Sequence, residues 1–184
     1  MTSERALGLR RAELAARAMN KRFGVQCPTD IKIEAFAAAR GIEIVEGGVH
    51  GSVARLCWGA RPIIRVSEHV TDVAERRWST GHELGHFVLD HRQNDLSNGC
   101  LHDAVPRRPP AGMRHFEAEA NVFAAETLMP RALLEPRCQL QPCLDVAHAI
   151  AKDFTTTLTA SESHLARGLS ERQSCCRSSG GSRW

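Results

Sequence analysis

"STGHELGHFVLDH", residues 79–91, places His82 and His86 four apart, with Glu83 directly after the first histidine. On a helix, residues four apart stand about 40° apart around the axis, so both imidazoles project from one face. Two imidazole nitrogens at that spacing can reach one zinc ion, and Glu83, further round the helix, can touch a coordinated water without binding the metal. Composition alone would produce this HExxH pattern in roughly 3% of shuffled chains, so its surroundings have to support it. Gly81 and Gly85 do so. Each glycine within a helix costs about 1 kcal/mol relative to alanine. That cost makes sense where a second backbone has to approach closely.

Two histidines do not hold zinc alone. A metzincin would place glycine three and histidine six residues beyond His86, but Leu89 and Arg92 stand there. The remaining source is "HFEAEANVFAAETLMP", residues 115–130. On a helical wheel, Ala120, Asn121, Ala124 and Leu128 fall within about 60° of Glu117. This small, largely apolar face can lie flat against Gly81 and Gly85. Glu117 is therefore the expected third ligand, with Glu119 as the alternative. Asn121, one turn on, is placed to orient a liganding histidine. Glu119 and Glu126 share the opposite side and are expected on a solvated or half-buried face. Asp90 and His91 read as polar residues at the helix end, with a supporting role beside the metal open to Asp90.

Two histidines, one glutamate and an open fourth position make a catalytic arrangement of zinc rather than a closed structural one. In such a site Glu83 takes the proton of the attacking water and passes it to the leaving amine, which is peptide hydrolysis. The developing oxyanion needs a further donor. The chain has no tyrosine, which leaves His115, His102 or an arginine; His115 is put first, though spacing does not choose among them.

Outward from this motif, residues 3–23 show helical periodicity with Leu7, Leu14, Ala18 and Phe23 near one stripe. A second helix is expected over 29–40, stopped by Gly41. "GIEIVEGG" (41–48) alternates like a strand, and "SVARLCW" (52–58) and "PIIRV" (62–66) flank a Gly59-Ala60 turn as a hairpin. Thr71 can cap a long helix reaching about Asp90. Residues 93–112, rich in proline, asparagine and aspartate, read as a loop. Helix returns over 114–129 and stops at Pro130. Two further helices, about 143–153 and 159–168, are joined by Thr155–Thr157, and a polar tail, 171–184, is expected to be flexible. The domains expected are a peptidase domain over 1–135, a helical hairpin over 136–170 and that tail.

Apolar residues make up 42% of the 184-residue chain and charged ones 24%, as in an ordinary globular protein. No stretch approaches the roughly 18 apolar residues of a membrane span. The N-terminal segment is broken by Arg10, Arg11 and Arg17, unlike a secretory signal, so a cytoplasmic location is expected. The net charge of +3 is spread along the chain, which argues against a nucleic-acid partner. Seven cysteines without a CxxC pair suit reduced thiols. Cys138, Cys143 and His148 have only their spacing to suggest a second metal site. Residues 143–168 have the outline of a helix-turn-helix, but the turn carries no glycine and 159–168 offers only Arg167 as a base. DNA contact is not expected.

Taken together, "RRWSTGHELGHFVLDH" (76–91) and "FEAEANVFAAETLMP" (116–130) resemble the paired motifs of the ImmA/IrrE metallopeptidases, over roughly residues 1–135. Carried onto this chain, the resemblance makes His82, His86 and Glu117 zinc ligands and Glu83 the catalytic acid/base. It implies an α+β, compact zincin-like fold: a small antiparallel sheet, the HExxH helix, a second ligand-bearing helix and a small helical C-terminal segment. It also implies cleavage of a helix-turn-helix repressor encoded nearby, releasing mobile-element or stress-response genes. The alternative is a non-hydrolytic binding protein, one partner of a toxin–antitoxin or immunity pair, that keeps the zinc scaffold. Glu83 favours the enzyme, since a pure binder needs no general base there.

Overall fold

Helix α1 (Thr2–Arg22) meets the rest of the chain through a face the sequence does not mark by its largest residues. Ala12, Ala16 and Met19 are buried, while Leu7 and Leu14 are exposed, at 68% and 51%. The stripe expected through Leu7, Leu14 and Ala18 therefore faces outward. The physical reason is close packing: α1 lies against helix α4 (Arg114–Leu128), and the small side chains of Ala12 and Ala16 let the two backbones approach while Met19 fills the core beyond them. Near the start of α1, a Cβ on Gly8 would fall 2.2 Å from Oε1 of Glu119.

The computed structural model describes residues 2–49, 51–91, 114–135 and 144–179. The helix expected over 29–40 is a 3-10 turn, Pro28–Asp30, followed by the shorter α2 (Ile33–Ala38). Asp30 causes the break, because its carboxylate accepts from the backbone N–H groups of Gln26 and Cys27, both at 2.9 Å. Local bonds of this kind compete with helix. Strands β1 (Glu43–Gly47), β2 (Ala54–Cys57) and β3 (Ile63–Ser67) follow, in the spatial order β1-β3-β2. The expected hairpin is present as the antiparallel β2–β3 pair. Pairing between β1 and β3, however, is parallel, so the sheet is mixed rather than antiparallel throughout. Strand β2 itself makes the crossover and ends on the edge of the sheet, against α3 (Val73–Val88).

Asp72 rather than Thr71 caps α3, its carboxylate accepting from the N–H of Glu75 at 2.9 Å. At the other end the N–H of Asp90 bonds to the carbonyl of Phe87 (3.1 Å) and that of His91 to the carbonyl of His86 (2.9 Å). These two bonds make a Schellman motif, which requires its C′ residue to be left-handed. Asp90 is that residue, with φ of 54°. The turn folds His91 back along the helix it has just left.

Ile64 and Val66 of β3, Leu84 of α3, Phe123 and Leu128 of α4 and Phe36 of α2 share one buried cluster. After the short α5 (Arg131–Leu134), α6 (Leu144–Phe154) adds Ala147, Ile150 and Phe154 to that cluster, and α7 (Leu158–Ser179) adds Ala160 and Leu165. The hairpin expected over 136–170 thus shares its core with the preceding helices. Helix α7 also continues past the expected end at 168. Cys138, Cys143 and the loop over 93–112 lie outside the described residues. Among the described residues, no helix is long and apolar enough to cross a membrane.

Helices α3 and α4 touch most closely at the two glycines. A Cβ on Gly85 would lie 3.2 Å from both the Cα and the carbonyl oxygen of Ala120, and 3.1 Å from Phe123 Cδ1. A Cβ on Gly81 would meet the movable end of Leu128 at 3.2 Å. Backbone yields less than a side-chain tip. Gly85→Ala should therefore destabilise the fold by roughly 1–3 kcal/mol in urea unfolding, overcoming its gain in helix propensity. Gly81→Ala, in the same measurement, should stay within about 1 kcal/mol of wild type.

Candidate metal centre

The face of α3 that carries the two glycines also carries His82 and His86, and α4 brings Glu117 to them. Nε2 of His82 and Nε2 of His86 stand 3.0 Å apart. The Glu117 carboxylate lies 3.2 Å from the first nitrogen and 3.4 Å from the second. A tetrahedron with metal–ligand bonds of 2.0–2.1 Å has edges of roughly 3.3–3.4 Å, so these separations suit one zinc ion. Among the described residues, this is the one group of three such donors close enough to share a metal. Neutral imidazole and carboxylate oxygen are also donors zinc accepts.

Each histidine is held by its other nitrogen. Nδ1 of His82 lies 2.9 Å from Oδ1 of Asn121. The amide oxygen is an acceptor, so the ring proton sits on Nδ1 and the Nε2 lone pair is left for a metal. Nδ1 of His86 lies 3.1 Å from Nδ1 of the buried His91. Burial disfavours charge on His82, but the hydrogen bond its ring donates to Glu117 and the nearby Glu83 outweigh it, and its pKa is raised. The bonds from His82 and then His86 hold Glu117 well below the usual carboxylate range. Burial also lowers the pKa of His91, against the opposing pull of Glu119.

Glu83 takes no place in the donor set. Its Oε2 accepts the N–H of Leu56, on edge strand β2, at 2.8 Å. Burial raises its pKa, opposed by His82 and His86 and by that N–H. A carboxylate tied to the sheet edge, beside two histidines and with raised basicity, can exchange a proton next to the donor group. Residues 37–162 match the family model Peptidase_M78, the IrrE N-terminal-like domain. The chain belongs to this metallopeptidase family. No curated protein matches its sequence.

Glu117 and Asn121 lie on the face of α4 toward α3, beside His82 and His86. The two other glutamates of α4 do not lie on a solvated face. Glu119 is 8% exposed and Glu126 is 2% exposed. Arg11 of α1 pairs with Glu119 at 3.1 Å, and Arg17 of α1 pairs with Glu126 at 3.0 Å. Helix α4 is covered on both sides, by α3 and by α1, and its partners on α1 are too distant in sequence to be read from spacing. Burial raises the Glu126 pKa, against the pull of Arg17 and Arg131. His115 is exposed and lies one turn before Glu119, on that side of α4 rather than the Glu117 side. His102 lies outside the described residues. Asp90 holds the left-handed position in the turn after α3. His91, read from sequence as a helix-end residue, is instead buried against His86.

Purified wild-type protein should carry about one zinc per chain by elemental analysis, since one site has the donors and spacing of a zinc centre. His82→Ala, His86→Ala and Glu117→Ala should each bind zinc far more weakly in the same assay. Full zinc content in Glu117→Ala would show that the ion sits elsewhere.

Proposed function

We propose that this chain is a zinc-dependent endopeptidase that cuts a helix-turn-helix repressor encoded nearby. The observation that carries the hydrolytic part is the place of Glu83, between the donors His82, His86 and Glu117 and the edge strand β2. When bound, zinc would polarise the scissile carbonyl and acidify a water. The protein's own part is proton management. Glu83 takes a proton from the attacking water, holds it on its carboxyl, and releases it to the leaving amine. The Leu56 N–H keeps that carboxylate turned toward the donor group, while Asn121 keeps His82 from rotating.

The edge of the sheet supports a way of reading substrate. Val53 pairs toward β3 through its carbonyl, which accepts the N–H of Ser67 at 2.8 Å. By alternation, the backbone groups of Ala54 and Leu56 point away from β3 and toward the α3 side. With the Leu56 N–H given to Glu83, an extended segment would add there through Ala54 and the Leu56 carbonyl. Selectivity for one folded partner would then rest on side chains flanking the cut rather than on general unfolding. The repressor comes from the resemblance of the two motifs to the ImmA/IrrE family. A cytoplasmic site of action and a role in mobile-element or stress-response regulation belong to the same proposal. The bonded position of Glu83 favours hydrolysis over a pure binding role.

Glu83→Gln should keep the fold and the zinc yet lose cleavage by roughly 10²–10⁴-fold, because the water loses its base. Cleavage at the wild-type rate in that variant contradicts the mechanism. For the substrate, zinc-loaded protein incubated with the neighbouring repressor should yield two fragments from a single cut by intact-mass analysis, with casein left whole. Broad digestion of casein beside an intact repressor contradicts the selectivity.

A further inference from the structure

Behind His86 the polar contacts continue away from the metal donors. Nδ1 of His91 lies 3.1 Å from Nδ1 of His86, and Nε2 of His91 lies 3.2 Å from Oε2 of Glu119. Arg11 donates to that same Oε2 at 3.1 Å and to the carbonyl of Leu89 at 3.2 Å. His91 is 3% exposed. The Phe116 ring lies tilted beside it with ring centroids 4.6 Å apart.

The proton positions along this chain follow from the donor and acceptor roles. A carboxylate that already accepts from Arg11 also accepts from His91, so the His91 proton is on Nε2. Nδ1 of a neutral His91 is then an acceptor. Its neighbour, Nδ1 of His86, has to donate, which leaves the lone pair of His86 on Nε2. That is the atom 3.0 Å from Nε2 of His82. Asn121 does the corresponding work for His82 from the metal-bearing side of α4. His91 does it from the turn after α3.

We propose that His91, anchored by Glu119 and Arg11, is a positioning residue that fixes the tautomer and ring angle of His86, presenting Nε2 to the metal. The inference rests on the zinc reading of the site. It makes α1 part of the metal centre, although Arg11 lies outside the residues matched by the family model. It also gives the left-handed Asp90 a purpose, since a helix continued through that residue would carry His91 away from His86. Gly8 leaves room on α1 for the Glu119 carboxylate.

The test compares zinc affinity, by chelator competition, in full-length wild type, His91→Phe, His91→Gln and Arg11→Met. His91→Phe should bind zinc roughly 10–100-fold more weakly than wild type, the usual effect of losing such a supporting contact. His91→Gln should recover much of the loss, because its amide oxygen can accept from His86. Arg11→Met should fall between them, and it serves as the second variant if His91→Phe does not fold. On zinc-loaded wild type, nitrogen NMR should show a slowly exchanging proton on Nδ1 of His86 and a nitrogen–nitrogen coupling to Nδ1 of His91 across the hydrogen bond. A side chain that merely fills space gives no such coupling. Wild type that binds zinc but lacks the coupling overturns this inference alone, as does a folded His91→Phe whose affinity stays within about twofold of wild type. Wild type that binds no zinc overturns the metal reading and this inference with it.

Discussion

The contact between Gly85 and Ala120 sets the distance between two helices, and the site depends on that distance. A Cβ added to residue 85 would stand only 3.2 Å from the Ala120 backbone, so α3 and α4 lie closer than a larger residue there would readily allow. Glu117 is a short reach from His82 and His86 because of this, and a carboxylate on a helix a few ångströms farther off would not close the group. The glycines weaken α3 as an isolated helix by about 1 kcal/mol each. The apolar packing of Leu84, Phe123 and Leu128 around them offsets that penalty. Local propensity is given up where the two helices bring their donors together, a trade typical of functional positions.

Around this contact, polar side chains fix what packing leaves loose. His82 is held through Asn121, His86 through His91, and Glu83 through the backbone of β2. Each of these bonds uses an atom that faces away from the donor set. Three separate elements, α4, the turn after α3 and the sheet edge, therefore converge on one helix face. Helix α1 closes the other side of α4, where Arg11 and Arg17 supply positive charge to the buried Glu119 and Glu126. The same helix that completes the core also supports the histidine network.

Much of this is legible in the amino-acid order, and what is not has physical reasons. The HExxH spacing and the two glycines together fix which face of α3 matters, and that face selects Glu117 over Glu119 on α4. Turn chemistry at Gly59-Ala60 marks the hairpin. Spacing gives no hint that β1 lies parallel to β3, because pairing across a crossover is set by how the chain packs as a whole. The buried states of Glu119 and Glu126 depend on arginines more than a hundred positions away. The outward face of Leu7 and Leu14 reflects a helix that meets α4 through Ala12, Ala16 and Met19 instead. His91 escapes a wheel because it lies five residues after His86, off the ligand face of any continuous helix. Only the left-handed turn at Asp90 returns it, and an aspartate in that conformation is a weaker signal in sequence than a glycine would be.

Membership of the Peptidase_M78 family and the grouping of His82, His86 and Glu117 are compatible with the proposed chemistry, a single zinc held by these three side chains with Glu83 beside it as base. The most direct measurement is diffraction from zinc-loaded crystals on either side of the zinc absorption edge. The account predicts one anomalous peak per chain, about 2.0–2.1 Å from Nε2 of His82, Nε2 of His86 and a carboxylate oxygen of Glu117. A peak bound through Nδ1 of His86, through Glu119, or at a site lacking His82 would contradict it.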